Sequence, residues 1–273
     1  MTIFESVVLG VVQGLTEFIP VSSSGHLILV RELLGINGGS ALAYDAVLQL
    51  FTSFAIIFYF RQDIWKAFLS IFGNEKNGNL ENGSLTEDLL RNRKESKVLI
   101  WSLVLGTIPA VLAGLFLEDY MATVFRQVWM VSWMLILGSV LFLLAEWFGK
   151  KRGELTVGRG FVVGLFQVLS LFPGMSRAGA TISGGLFAGL TREAATRFAF
   201  LLGFPVLFGS GLKKLIELGG TGDITFSLIV GSVASFFVGL AAIHFLIRYL
   251  KTHTLLVFVI YRLILAVVII ILL

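Results

Sequence analysis

Six apolar runs, at roughly 42 to 60, 98 to 117, 128 to 148, 198 to 216, 226 to 247 and 254 to 273, reach the length a helix needs to cross hydrocarbon, about 20 residues. No water reaches that region, so each segment must pair its own backbone N–H and C=O groups, and the α-helix does this within one segment. The composition agrees with a lipid solvent. Of the 273 residues, 56% are hydrophobic and 14% charged, too little polar surface for a water-soluble globule of this size. The expected fold is an all-α integral membrane protein forming a single membrane domain over residues 1 to 273, with no separate soluble domain.

Four further apolar pieces are shorter, at about 3 to 19, 23 to 35, 158 to 172 and 177 to 190, and they form two pairs broken at Pro20 and at Pro173-Gly174. Proline lacks the N–H and disfavours helix in the residue before it, so each pair predicts two half-helices joined by a turn, a re-entrant hairpin. Unwound backbone at membrane depth is tolerated where protein or a water-filled cavity satisfies it, so these turns are expected to line a cavity.

Each hairpin is followed by three spans, which divides the chain into repeats 1 to 148 and 157 to 273. The letters recur: Gly10-Val-Val-Gln13-Gly-Leu15 precedes Pro20-Val-Ser22-Ser-Ser-Gly25, and Gly164-Leu-Phe-Gln167-Val-Leu169 precedes Pro173-Gly-Met-Ser176-Arg-Ala-Gly179. A hairpin returns to its own side and three spans cross over, so the second copy is inverted. The expectation is six transmembrane helices plus two re-entrant helical hairpins in an inverted-topology repeat.

Basic residues orient this arrangement. With the loop from 61 to 97 inside, fifteen Lys and Arg residues collect on the cytoplasmic side, and only Arg31, Arg126, Lys213 and Lys214 fall outside. Both termini then face outward. The net charge of +4 resides in these loops, so anionic lipid rather than nucleic acid is their expected partner. Met1–Ser6 has no basic region before its apolar stretch and is expected to belong to the mature structure. The polar stretch from Gly73 to Lys97 is expected to be the sizeable extramembrane segment, with Ile64–Leu69 lying at the interface before it and Trp65 as anchor. Cysteine is absent, which excludes disulfides, thiolate metal sites and a cysteine nucleophile.

Ionisable residues inside apolar runs are costly in hydrocarbon, and this singles out Glu17, His26, Arg177 and Arg262. Gln13 lies one helical turn before Glu17 on the same face. Ser22, Ser23 and Ser24 open the second half-helix, where hydroxyls and free N–H groups favour phosphate oxygens. A plain capping role fits any one serine alone. His26 is open between a satisfied buried histidine and a catalytic or phosphate-contacting one. Arg177 follows the Gly174 turn with Ser176 and Thr181 adding hydroxyls, and its planar guanidinium matches phosphate. The alternatives are structural: Glu17 in a helix contact, and Arg177 on carbonyls of the opposite broken helix. Arg262 is expected to snorkel or to pair with a carboxylate. No specific metal-ligand motif is present, and Ser183-Gly-Gly185 fits close helix packing better than a phosphate loop. Together these residues describe a site for a phosphorylated lipid.

The same stretches resemble the undecaprenyl pyrophosphate phosphatase (BacA/UppP) family over essentially the whole chain. Gln13 and Glu17 match its Glu/Gln-x-x-x-Glu motif in the Gln form, Ser22-Ser23-Ser24-Gly25-His26 its Ser-Ser-x-Gly-His, and Pro173-Gly174-Met175-Ser176-Arg177 with Thr181 its Pro-Gly-x-Ser-Arg-Ser-x-x-Thr. Two departures stand out: Ala178 replaces the family's usual serine, and Gln13 removes a possible base or metal ligand, leaving the acid–base work to Glu17. The resemblance implies hydrolysis of undecaprenyl pyrophosphate to the monophosphate carrier reused in peptidoglycan synthesis. It also implies a divalent cation such as magnesium, a site opening to the outer side of the bacterial cytoplasmic membrane, and bacitracin resistance on overproduction.

On this basis Ser23 attacks the terminal phosphorus and Glu17 accepts its proton. Arg177, Ser176, Thr181 and the helix N-termini stabilise the equatorial oxygens, and Gln13, Ser22, Ser24 and Gly174 complete substrate binding. His26 protonates the leaving phosphate or activates water; the rival assignment makes His26 the nucleophile and Ser23 a phosphate ligand. The expected partners are the polyprenyl pyrophosphate lipid and the bilayer, and a homodimer is allowed. A lipid-phosphate flippase would use the same inverted-repeat cavity, and a structural scaffold is the remaining alternative.

Overall fold

The computed structural model describes residues 1–36, 41–72, 83–122, 127–149, 153–221 and 224–272. Among them lie eleven α-helices: α1 (Ile3–Phe18), α2 (Ser23–Leu33), α3 (Ala41–Tyr59), α4 (Arg61–Phe72), α5 (Gly83–Ala122), α6 (Val128–Phe148), α7 (Val157–Val168), α8 (Arg177–Phe187), α9 (Arg192–Thr221), α10 (Phe226–Tyr249) and α11 (Leu256–Leu272). A 3₁₀ turn over Leu169–Leu171 extends α7. Among the described residues no strand forms beyond an isolated bridge between Gly153 and Leu190.

Among the described residues, four helices are long and apolar enough to cross a membrane: Arg93–Leu117 within α5, α6, Arg192–Gly220 within α9, and α10. A fifth crossing is available if Ala43–Tyr59 and Arg61–Leu69, bent by 63° at their junction, act as one span. Large side chains such as Trp133, Phe237 and Ile264 point outward, the arrangement expected of a multi-pass membrane protein. The run at 254 to 273 appears as α11, which at 17 residues is shorter than the full span anticipated.

The described part of the polar stretch is helical. Helix begins at Gly83 and runs unbroken into the apolar part of α5, because Leu, Glu, Arg and Lys are good helix formers even where they are too polar for lipid. Residues 73–82, and with them Lys76, lie outside the described residues, as do Arg126 and the basic run Lys150, Lys151 and Arg152.

Local chemistry fixes the broken helices. Thr2 and Glu5 form a reciprocal capping box at the start of α1, with Thr2 N–H donating to Glu5 at 2.9 Å and Glu5 N–H to Thr2 Oγ1 at 3.2 Å. The helix ends at Phe18, with extended Ile19 preceding Pro20 as proline requires. Ser22 and Ser176, at the starts of α2 and α8, adopt φ of 76° and 71° and are the non-glycine residues with positive φ among those described. Each side chain accepts from the N–H three residues on, Gly25 or Gly179. Two serines held in the left-handed region at matching caps are strained features of the kind that gathers at functional sites.

Each broken helix then packs on a long helix of the other half. α1 crosses α10 so closely that a Cβ on Gly10 would stand 2.1 Å from the Gly231 carbonyl oxygen, and α7 meets α5 with Gly164 in the same relation to Gly106 at 2.2 Å. Glycine makes these approaches possible. α3 packs on α9 and α6 on α11. At one end of the bundle, ion pairs collect the basic residues: Arg192 with Glu146 at 2.6 Å, Arg197 with Asp63 at 2.6 Å and Lys251 with Glu193 at 3.1 Å. Glu146 also accepts from Leu255 N–H, tying the start of α11 to the end of α6. At the other end of α3, Arg31 of α2 is buried against Asp45 at 2.5 Å.

Candidate active site

The turns after α1 and before α8 meet inside the bundle, and Glu17 stands where they join. Its Oε2 accepts from Gln13 Nε2 at 2.8 Å and from Ser23 Oγ at 2.9 Å, and its Oε1 accepts from Arg177 Nη1 at 3.1 Å. A carboxylate that is only 6% exposed is thereby matched by three donors, two from its own hairpin and one from the other. Arg177 Nε is buried with no partner. A guanidinium with a spare desolvated donor beside a serine–carboxylate pair is prepared for an anion.

Ser24 joins the two turns directly, since its Oγ accepts from Gly174 N–H at 3.2 Å and lies 3.2 Å from Ser22 Oγ. Ser22 Oγ caps α2 through Gly25 N–H, and Ser176 Oγ caps α8 through Gly179 N–H. Gly174 sits at φ 100°. Gln13, Glu17, Ser22, Ser23, Ser24, Gly174, Ser176 and Arg177 thus belong to one connected cluster at the meeting point.

Two anticipated residues are oriented differently. Thr181 is fully buried and its hydroxyl donates back to the Arg177 carbonyl at 2.7 Å, so the donor expected for phosphate is spent within α8. His26 bonds elsewhere than to Ser23: its Nδ1 lies 2.7 Å from the Ser22 carbonyl and its Nε2 2.7 Å from the hydroxyl of Tyr261 on α11.

Arg262 neither snorkels nor pairs with a carboxylate. Fully buried, it donates to Ser139 Oγ at 3.2 Å and to the carbonyls of Met175 (3.1 Å), Met134 (3.2 Å), Leu135 (3.0 Å) and Gly174 (3.0 Å). Its guanidinium stacks over Phe142 at 4.7 Å, and Gly138 leaves it room, since a Cβ there would fall 2.2 Å from Nη2. The carbonyl-binding role considered for Arg177 is therefore held by Arg262, which pins the turn from which Arg177 springs. Arg262→Met should cost on the order of 3 kcal/mol, because several buried carbonyls lose a donor at about 1–3 kcal/mol each. A lowered unfolding temperature of the detergent-solubilised protein is the check.

A family model described as "Bacitracin resistance protein BacA" matches residues 6–268. The chain belongs to the BacA family. Similar relatives include proteins named undecaprenyl-diphosphatase from Thermobifida fusca (39% identical, covering 98% of this chain and 89% of the relative), Corynebacterium striatum (42%; 96% and 91%) and Chloroherpeton thalassium (39%; 98% and 95%).

Within the BacA family the two departures noted in the sequence now have physical readings. Gln13 donates its amide to Glu17, which an ionised glutamate in its place would not do, so here the position supports the negative charge of its neighbour. Ala178 is buried in the main apolar cluster beside Phe142 and Ile182, where a methyl group needs no partner. Tyr261 was missed by motif reading. Its place next to Arg262 in an apolar run is the one sequence signal that marks it.

Proposed function

We propose that this BacA-family chain removes the terminal phosphate of undecaprenyl pyrophosphate, returning the monophosphate carrier to peptidoglycan synthesis and conferring bacitracin resistance. The observation that carries this reading is the Ser23 hydroxyl, 2.9 Å from a carboxylate that is itself anchored by an arginine with a spare donor. It is the arrangement of an activated nucleophile beside an anion site. The names of the relatives favour hydrolysis over the lipid-phosphate flippase that broken helices equally allow.

In the first half-reaction Ser23 Oγ bonds to the terminal phosphorus as its proton passes to Glu17 Oε2. The bridging P–O bond breaks, and its electron pair leaves on undecaprenyl phosphate. Arg177 Nε and Nη groups, with the Ser176 hydroxyl and the free N–H groups opening α2 and α8, hold the equatorial oxygens. In the second half-reaction water attacks the phosphoserine, His26 takes the proton of that water, and Ser23 leaves with the proton held by Glu17. His26 lies three residues along α2 from Ser23, on the same helical face. Its Nε2 is bonded to a hydroxyl rather than aimed at Ser23, which supports Ser23 over His26 as nucleophile.

Magnesium fits as a cation carried in on the diphosphate rather than caged by protein. Among the described residues no three His, Asp or Glu side chains cluster, while Oε1 of Gln13 is buried and unpartnered next to Glu17. That amide oxygen of Gln13 would help hold the ion alongside substrate oxygens. Bound there, it would neutralise charge on the diphosphate.

The same proposal includes the membrane arrangement. Six spans and two re-entrant hairpins in inverted copies account for the exchange of partners between α1–α10 and α7–α5 and for the matched caps at Ser22 and Ser176. With the ion-paired basic end inside, the site opens to the outer face of the cytoplasmic membrane. The test is phosphate release by purified protein in detergent with magnesium: release from undecaprenyl pyrophosphate, and none from the monophosphate, is expected. No release from the diphosphate, or equal release by Glu17→Gln, would overturn the reading.

A further inference from the structure

Tyr261 belongs to none of the motifs that carry the site, yet it completes the surroundings of His26. The Ser22 carbonyl, 2.7 Å from Nδ1, can only accept a hydrogen bond, so Nδ1 carries the ring hydrogen. Nε2 is then a lone pair, and the Tyr261 hydroxyl at 2.7 Å donates to it. The two rings are parallel to within 4°, with centroids 5.6 Å apart.

Both ends of this contact are held. The carbonyl on Nδ1 belongs to Ser22, the strained cap residue at φ 76°, and Tyr261 is adjacent to Arg262, whose bonds to the Gly174 and Met175 carbonyls fix α11 against the opposite turn. Consecutive residues of α11 thus reach both hairpins. Tyr261 is half-exposed at the protein surface, and its hydroxyl reaches the first hairpin through His26.

We propose that Tyr261 is a positioning residue for the hydrolysis half of the reaction, holding His26 with its Nε2 lone pair directed to where water enters. The proposal rests on the phosphatase reading above. A water admitted between the two side chains donates to Nε2 and accepts from the Tyr261 hydroxyl, which leaves an oxygen lone pair to attack the phosphorus. The water oxygen bonds to phosphorus, its proton passes to Nε2, and the phosphorus–Ser23 Oγ bond breaks with Oγ recovering the proton from Glu17. Without the phenol hydroxyl, neither the ring nor the water is held in line, and the phosphoserine persists.

Tyr261→Phe keeps the ring and removes only the hydroxyl. Slowing the second step alone lowers kcat and KM together, so kcat should fall about tenfold with kcat/KM within about twofold of the unaltered chain. Phosphoenzyme recovered by acid quench during turnover should rise. In a His26→Ala background, where single-turnover decay of the phosphoenzyme can be followed however slow it is, the same substitution should add no further loss. An unchanged kcat, a fall in kcat/KM equal to that in kcat, or an undiminished loss in the His26→Ala background would overturn the proposal. Those results leave the phosphatase reading intact, whereas failure of the unaltered chain to release phosphate overturns that reading and this inference with it.

Discussion

Glu17→Gln should lower kcat by about 10²–10⁴, the range that a positioned general base supplies, with a much smaller change in KM. The substitution keeps the size and shape of the side chain, so the α1 turn stays filled. It removes the group to which Ser23 passes its proton, and it puts an amide where three donors now converge on a carboxylate. Ser23→Ala should be at least as damaging, because the attacking atom itself is lost. Combining the two should cost little more than either alone, since residues that act as a unit are not additive. The measurement is phosphate release by each variant and by the pair.

Arg177→Ala should be the second large effect, lowering kcat by about 10²–10³, as loss of one well-placed donor to a developing oxyanion does elsewhere. Arg177 makes two contributions at once. Through Nη1 it holds Glu17 across the gap between the hairpins, and through its unpartnered Nε it presents a donor to the substrate. Arg177→Lys separates these contributions, because an ammonium can keep the charge beside Glu17 but lacks the planar fork. Activity between that of Arg177→Ala and the unaltered chain is expected, with KM for the lipid diphosphate raised. Equal activity of the Lys variant and the unaltered chain would show that charge alone suffices at this position.

Much of this architecture is legible in the sequence, for reasons that are local. Pro20 and Pro173 fall at the two breaks, after the end of α1 at Phe18 and before the start of α8 at Arg177, whereas Pro109 and Pro205 are accommodated inside α5 and α9. Glu17 and Arg177 stand out because charge in an apolar run is costly, and their pairing follows from the meeting of the two turns. What the sequence hides is direction. Arg262 and Arg177 are equally anomalous as letters, yet one faces five acceptors in the bundle interior and the other faces the site. Thr181 lies one turn beyond Arg177, where its position suggests a phosphate donor, but its hydroxyl returns to its own helix. His26 is written beside three serines and turns to α11, which only the packing of a residue 235 positions away could reveal. The helix over residues 83 to 97 was hidden for another reason: polarity excludes that stretch from lipid but does not oppose helix.

The central claim is that Ser23 is the nucleophile, activated by Glu17 and opposed by Arg177. Its most direct test is to quench turnover of undecaprenyl pyrophosphate labelled in the terminal phosphate and to locate the label on the protein by mass spectrometry. The expected result is an acid-stable phosphate on Ser23, absent in Ser23→Ala and enriched in His26→Ala. An acid-labile label on His26 that survives Ser23→Ala would contradict it.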